Sequence, residues 1–214
     1  VGPVKQTYLY GDVSHSVNIS SSGTLAFGLK GGFSFQNIDN SLIGFNVPES
    51  IDNLNNTSAN IGFGLYYYEE KYYVGLSSPT ILPESVNDYD DNGVTENSSG
   101  TTLYLTSGYL FDLNPSLIFK PSVLLRYSTV FPVSIDFSAS FFFNQKVELG
   151  MSYRTNNTLS LSSLFKVKDS FRLGYAYEYS IGSFINGNNG SHEIILLFDL
   201  ETKRKKRHSG LSCF

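Results

Sequence analysis

The sequence predicts an all-β protein, and specifically a transmembrane antiparallel up-and-down β-barrel. The first observation is composition: 17 Phe, 15 Tyr and only 16% charged residues, a mixture rich in strand formers. The second is a strict alternation of apolar and polar residues over stretches of ten or more positions. The third is that no apolar run approaches the roughly 18 residues of a membrane helix. Together they favour strands that have one face in lipid.

The alternation is clearest near the end of the chain, between Phe171 and Gly182. Odd positions there carry aromatic and aliphatic side chains, while even positions carry charged or small ones. A second stretch, from Leu25 to Gln36, follows the same rule, and 133–143 and 147–154 repeat it. Four such segments predict strands with an apolar face and a polar face.

Strand length separates a membrane barrel from a soluble barrel or sandwich, which would also alternate. Ten residue steps from Phe171 to Ile181 cover about 34 Å at roughly 3.4 Å per residue, or about 26 Å along the membrane normal at a tilt of about 40°. That length matches an apolar band of about 25 Å, whereas soluble strands average about five or six residues. The sequence therefore favours the membrane barrel over the soluble alternative.

The pattern predicts about eleven strands, joined alternately by tight turns and longer loops. Short turns of outer-membrane barrels lie in the periplasm and long loops lie outside. We therefore expect residues 1–202 to form the barrel and 203–214 to form a basic periplasmic tail. Because the chain starts without a signal peptide and bacterial barrels have even strand numbers, we expect three earlier strands, a probable fourteen in all. The predicted strands lie near 6–19, 24–38, 58–69, 71–80, 101–112, 116–130, 132–144, 146–155, 157–167, 170–182 and 191–201.

Charge and motif content argue against several other functions. The net charge is −4 and the basic run KRKKRH is confined to 203–208, so we expect no nucleic-acid partner. The sequence has no nucleophile elbow, no paired-cysteine metal spacing and no phosphate-binding glycine loop. His15 and His192 fall near opposite ends of their strands and His208 lies in the tail, so they share no site. We expect no enzyme activity, no cofactor and no catalytic metal.

Several stretches resemble the PorP/SprF family of type IX secretion and gliding-motility proteins. They are GPVKQTYLYGD at 2–12, LAFGLKGGFSFQNID at 25–39, ANIGFGLYYYEEKYYVGLSSPTIL at 59–82 and GSHEIILLFDL at 190–200. The resemblance implies an outer-membrane barrel that assists the export or surface display of client proteins by binding other machine components. It implies as partners a periplasmic lipoprotein and secreted adhesin-type clients, besides the lipids of the outer membrane. A passive channel or small-solute transporter of the same architecture is the alternative.

The alternation rule predicts which charged residues look into the barrel interior. Both signs are present, which favours a network of paired charges that holds the barrel shut over a substrate-conducting path. The predicted inward charges are Lys30, Lys120, Arg126, Asp136, Glu148, Arg154, Arg172, Glu178, Glu193 and Asp199.

Two further segments suggest weaker contacts. The run DYDDNG at 88–93 places Asp88, Asp90 and Asn92 like the opening of a calcium loop, but Ser99 stands where that loop needs Glu. A solvated acidic loop is therefore favoured over bound calcium. The basic tail could contact anionic headgroups or a periplasmic partner, although a solvated end is the commoner outcome.

Overall fold

The computed structural model describes residues 4–38, 54–82, 85–90, 93–98, 100–181 and 190–198, and every regular element in them is a β-strand. None of these residues forms a helix long and apolar enough to cross a membrane. The strands are β1 Val4–Asn18, β2 Thr24–Ile38, β3 Leu54–Tyr68, β4 Tyr72–Thr80, β5 Ser85–Asp90, β6 Gly93–Ser98, β7 Thr102–Tyr109, β8 Phe111–Asn114, β9 Leu117–Ser128, β10 Ser134–Phe143, β11 Val147–Arg154, β12 Thr158–Lys168, β13 Phe171–Ser180 and β14 Ser191–Phe198.

Twelve of these strands form one antiparallel up-and-down sheet. Its order is β1-β2-β3-β4-β7-β9-β10-β11-β12-β13-β14, with the short β8 pairing beside β7 on β9. The strands β5 and β6 form a separate hairpin inserted between β4 and β7. Within the described residues β1 and β14 are the two edges, so the sheet is open. The all-β, up-and-down prediction is confirmed, and closure into a barrel stays a prediction.

Each predicted strand overlaps a strand of this sheet, with two differences. The predicted strand 101–112 is interrupted at Leu110, so that β7 and β8 both pair with β9. The stretch 81–100, predicted as a loop, contains the hairpin β5–β6. Its Asp-, Asn- and Ser-rich sequence lacks the apolar alternation by which the other strands were recognised.

The two ends of the sheet differ in their connections. The turn end carries residues 19–23, 69–71, 110, 115–116, 144–146 and 169–170; the loop end carries the connections that follow β2, β4, β9, β11 and β13. At the turn end Asn144 and Gln145 have φ values of 49° and 55°, which is the paired positive φ of a type I′ hairpin turn. At the loop end Asn157, with φ 65°, closes a three-residue connection. Asparagine suits positions 144 and 157 because it tolerates the left-handed region.

Burial is inverted relative to a soluble protein. Among the described residues the buried apolar side chains are Tyr73 and Leu110, whereas the buried polar ones are Ser34, Asn60, Ser78, Ser128 and Thr158. Large apolar side chains lie exposed along nearly every strand of the main sheet. A contiguous exposed apolar surface of this extent marks a face that water does not normally cover.

Candidate functional site: the polar face of the sheet

The strand register places the small and charged side chains on one side of the sheet, which we call the polar face. The opposite side, which carries most of the exposed aromatic and aliphatic side chains, is the apolar face. Nine of the ten charges predicted to face inward lie on strands whose register assigns them to the polar face. Asp199 lies outside the described residues. Whether this face encloses a lumen stays a prediction.

A continuous set of ionic contacts crosses four strands near the loop end. Arg154 on β11 pairs directly with Asp136 on β10, with Nε and Asp136 Oδ1 2.7 Å apart and a second hydrogen bond from Nη2 to Oδ2 at 3.2 Å. The same guanidinium reaches across β12, so that Nη1 lies 3.7 Å from Glu178 Oε2 on β13. Ser160 of β12 donates to that carboxylate at 3.1 Å. We call Asp136, Arg154, Ser160 and Glu178 the ionic ladder.

A second pair, between β9 and β11, lies nearer the turn end. Lys120 Nζ on β9 lies 3.5 Å from Glu148 Oε1 on β11, and it spans β10 to reach it. Both side chains are mostly buried, at 12% and 18% exposed. The ammonium also lies 5.0 Å from the centre of the Phe142 ring, which is within cation–π range. In the β9–β13 half of the polar face, ion pairs therefore connect side chains on different strands.

Two other predicted charges contact aromatic rings. Lys30 Nζ lies 3.9 Å from the centre of the Tyr10 ring, and the Arg126 guanidinium lies 5.6 Å from that of Tyr104. Arg172 and Glu193 lie on β13 and β14 without joining the ionic ladder; Glu193 is exposed at the edge strand. Asp12, which the sequence analysis did not select, is directly opposite Lys30 in the register. The even-position rule on β1 would have identified it.

The β1–β7 half of the polar face is filled by tyrosines that lie over glycines, a feature that sequence reasoning missed. Three cross-strand pairs place a tyrosine directly opposite a glycine: Tyr10 with Gly32, Tyr66 with Gly75 and Tyr73 with Gly108. A Cβ added at Gly108 would lie 2.5 Å from the Tyr73 ring, and one at Gly75 would lie 2.9 Å from Tyr66. The Tyr66 and Tyr73 rings also stack, with centroids 5.6 Å apart. We call these three pairs the tyrosine–glycine pairs.

The apolar face carries tyrosines at both ends of the strands. At the loop end Tyr127, Tyr153 and Tyr179 are each the second-to-last residue of their strand, and each is between 42% and 49% exposed. At the turn end the Tyr67 and Tyr72 hydroxyls both donate to the Glu69 carboxylate, at 2.5 and 3.1 Å. Such rings, with an apolar body and a polar tip, are enriched where a membrane meets water.

The chain matches, over residues 1–198, the family described as type IX secretion system membrane protein PorP/SprF. The match covers every strand described above. The chain belongs to the PorP/SprF family. A search of curated proteins finds no match.

Membership of the PorP/SprF family makes this chain a membrane component of the type IX secretion system, located in the outer membrane. The resemblance predicted from the sequence is thereby confirmed. The location also accounts for the exposed apolar face, because acyl chains replace water around it.

Two ion pairs lie at the turn end of the PorP/SprF chain, outside the strands' apolar span. Lys71 Nζ lies 3.1 Å from Asp112 Oδ2, and that hydrogen bond raises the pKa of Lys71. Lys166 Nζ lies 2.9 Å from Asp169 Oδ1, and the hydrogen bond lowers the pKa of Asp169. Both acidic partners are exposed, so water screens these pairs more than the ionic ladder.

The predicted calcium loop, the basic tail and the histidines remain to be placed. Asp88 and Asp90 lie on β5 of the hairpin, but their side chains and Asn92 lie outside the described part, so calcium binding there stays untested. The tail 203–214 also lies outside it. His15 and His192 lie toward the turn end and the loop end respectively, both on the apolar face. Within the described ranges no three His, Cys, Asp or Glu side chains cluster as metal ligands.

Proposed function

We propose that this PorP/SprF chain is a structural and binding component of the type IX machinery, which assists export or surface display of clients by holding other machine components. We further propose that its sheet closes into a barrel in the membrane, because lipid does not tolerate unpaired strand edges. The role is one of scaffolding and carries no catalytic step. The observation that carries this proposal is the ionic ladder, which links four strands across the polar face.

The ionic ladder supports a scaffold because its charges bind one another. Asp136 and Glu178 are satisfied by one arginine, and Lys120 is directed at Glu148. A conducting path would instead present charges to the moving solute and to water. Paired charges that span four strands fix the relative positions of those strands, which a platform for partner proteins requires.

The two ends of the sheet supply different contact surfaces. We propose that the turn end faces the periplasm, where a lipoprotein partner could bind, and that the loop end faces the cell exterior and the client. The hairpin β5–β6 is suited to the second role, because its strands pair with each other and it is inserted apart from the main sheet. The segment 84–98 contains five acidic residues and no Lys or Arg, so a basic surface on the client would complement it.

The test is co-purification from native membranes in mild detergent, with an affinity-tagged full-length protein. We expect the intact protein to bring down a periplasmic lipoprotein and other machine components. A variant whose residues 85–98 are replaced by a Gly/Ser linker of equal length should reach the membrane, keep the periplasmic partner and lose client export. Recovery of the intact protein alone would contradict the proposal.

A second measurement on the same preparation distinguishes the scaffold from a passive channel. Reconstituted intact protein should show no steady ion conductance if the ionic ladder closes the interior. Steady conductance, together with unchanged client export in the linker variant, would favour the channel.

A further inference from the structure

The chain leaves the sheet for the hairpin β5–β6 directly after a β-bulge in β4. Between Ser77 and Thr80 the strand β4 takes three residue steps, while the paired stretch of β7 takes two. Pro79 lies in this bulge, where a central strand tolerates a residue that has no N–H. The bulge also presses on β3, because a Cβ added at Gly62 would lie 2.6 Å from the Pro79 carbonyl oxygen. Since bulged strands bend, β4 bends where the chain departs toward the hairpin.

The extra residue determines which face each side chain of the departing chain occupies. Side chains alternate along a strand, so a shift of one residue exchanges the two faces. Ser77 lies on the polar face, and plain alternation from it would put Thr80 on the apolar face. With the bulge, Thr80 instead pairs with Thr102 on the polar face, and Ile81 follows on the apolar side. The bulge therefore sets the rotation of the chain that enters the hairpin.

Hydrogen bonds from buried side chains hold the bulge in place. The Ser78 hydroxyl, on a residue only 1% exposed, donates to the Thr102 carbonyl oxygen at 2.9 Å. Asn60, 2% exposed, donates from Nδ2 to the Thr80 hydroxyl at 3.1 Å. Straightening β4 would leave these buried groups without their partners, which is unfavourable. The bulge is therefore a fixed feature of the sheet.

The two chain segments that join the hairpin to the sheet are fixed as well. The Ile81 N–H donates to the Ile61 carbonyl oxygen at 2.8 Å. The Thr101 hydroxyl donates to the Ile81 carbonyl oxygen at 3.2 Å, which links the two segments. Beside Thr101, a Cβ added at Gly100 would clash with the Thr129 side chain in the loop after β9. We call residues 78–81 and 100–101 the hairpin root.

We infer that the hairpin root holds the hairpin β5–β6 in one direction and one rotation, so that the client meets it in a single orientation. The positioning residues are Asn60, Ser78 and Pro79. A bulge in a central strand disrupts the hydrogen-bonded ladder, and a role outside the sheet accounts for it. A hairpin that is fixed at its root also loses less orientational freedom on binding than one that pivots. The inference rests on the proposed contact between the hairpin and the client.

Pulsed electron paramagnetic resonance on the full-length protein in nanodiscs measures the direction of the hairpin without any client. Spin labels are attached at Thr95→Cys on β6 and Phe137→Cys on β10, in a chain that carries Cys213→Ser. The intact root should give one narrow distance distribution. Deletion of Pro79 should move its maximum by at least about 3 Å, the rise of one strand residue.

Ser78→Ala removes the buried hydroxyl but keeps the bulge. It should widen the distance distribution and make hydrogen exchange at the Ile81 amide about five-fold faster, as expected when one buried hydrogen bond is lost. The matched control is Ser107→Ala, because the Ser107 hydroxyl makes the same kind of bond, to the Tyr73 carbonyl oxygen at 3.1 Å, away from the root. It should leave the distance distribution and the Ile81 exchange rate unchanged.

A heat-dependent gel shift verifies that each variant folds, and Ser78→Ala decides the matter if the Pro79 deletion does not fold. An unchanged distance distribution in the folded root variants would overturn the inference.

Client export separates the failure of this inference from the failure of the proposed function. Ser78→Ala and the Pro79 deletion should reduce export, and Ser107→Ala should not. If the Gly/Ser linker variant loses export while the root variants keep it, the client contact stands and the need for a fixed orientation is overturned. If the linker variant keeps export too, the proposed client contact is wrong, and the inference falls with it.

Discussion

The polar face is built in two different ways along one sheet. From β1 to β7 it is filled by tyrosine rings that lie over glycines, with Tyr73 only 7% exposed. From β9 to β13 it is filled by serines and by charges that pair across strands. Both halves use the same apolar face toward lipid. The difference shows that one alternating pattern permits two solutions for the opposite face, one based on shape and one based on charge.

The two halves of the polar face are destabilised by opposite kinds of substitution. A ring packed on a glycine has no room for an added atom, so the β1–β7 half is sensitive to larger residues. A shared arginine leaves two carboxylates behind when it is removed, so the β9–β13 half is sensitive to the loss of one partner. The predictions below test that contrast in order of decreasing effect.

The largest effect is expected from Gly108→Val. The new Cβ would lie 2.5 Å from the Tyr73 ring, and overpacking of this kind costs about 3 kcal/mol. Urea titration of the full chain folded into lipid vesicles should show that loss in the free energy of unfolding.

Gly31→Val is the matched control, because a Cβ at Gly31 meets nothing within 4 Å and faces lipid. It should leave the free energy of unfolding unchanged. Gly108→Val combined with Tyr73→Ala should regain part of the loss. Equal sensitivity at Gly31 and Gly108 would contradict the account of shape packing.

An intermediate effect is expected from Arg154→Met. It leaves Asp136 and Glu178 without their cation, but because Glu178 is 43% exposed the cost should be about 1–2 kcal/mol, between that of surface and buried pairs. The variant that also carries Asp136→Asn and Glu178→Gln should recover most of the lost stability. If the triple variant is less stable than Arg154→Met, the ionic ladder does not act through charge pairing.

A smaller effect is expected from Lys120→Met. The Lys120–Glu148 contact is a single one at 3.5 Å, without the two parallel hydrogen bonds of Arg154 and Asp136, but both side chains are mostly buried. We therefore expect a loss of about 1 kcal/mol, above that of an exposed pair. A double-mutant cycle with Glu148→Gln measures the coupling energy directly. If the coupling energy of Lys120 and Glu148 exceeded that of Arg154 and Asp136, the Lys120–Glu148 pair would be the stronger of the two, contrary to this account.

The smallest effect concerns pH at the turn end. The pKa of Asp169 is lowered by Lys166, so the ion pair stabilises the folded chain above the ordinary carboxyl pKa and loses that contribution as pH falls through the lowered value. Asp169→Asn should lower stability slightly near neutrality and leave it unchanged below the lowered pKa, so that the dependence of stability on pH in the acid range becomes flatter. An unchanged acid slope would show that the pair contributes nothing in solution.

The alternation in the sequence predicts most of the main sheet because a face in lipid and a polar face opposite it impose a period of two on every strand. That rule assigns Arg154 and Glu178 to one face before any register is known. It does not assign them to each other, since they lie on β11 and β13 and meet only because the register aligns Arg154 with Thr158 on β12 and Ser160 with Glu178.

The tyrosine–glycine pairs escaped prediction for the same reason. Tyr73 and Gly108 are far apart in the chain, and a glycine within an alternating strand gives no sign of its partner. The hairpin β5–β6 escaped because neither of its faces is apolar, so its sequence reads as a loop. Local pattern therefore determines which face a residue occupies, and strand register determines what it contacts.

The most direct test of the central claim is a cysteine scan through β10 in a chain whose Cys213 is replaced by serine. Phe137, 55% exposed on the apolar face, and its neighbour Ser138 on the polar face are labelled one at a time with an environment-sensitive fluorophore. We expect quenching by lipid-borne quenchers at 137, 139 and 141, and none at 138 and 140. Equal quenching at odd and even positions, or none at any, would contradict the assignment of the aromatic face to the membrane.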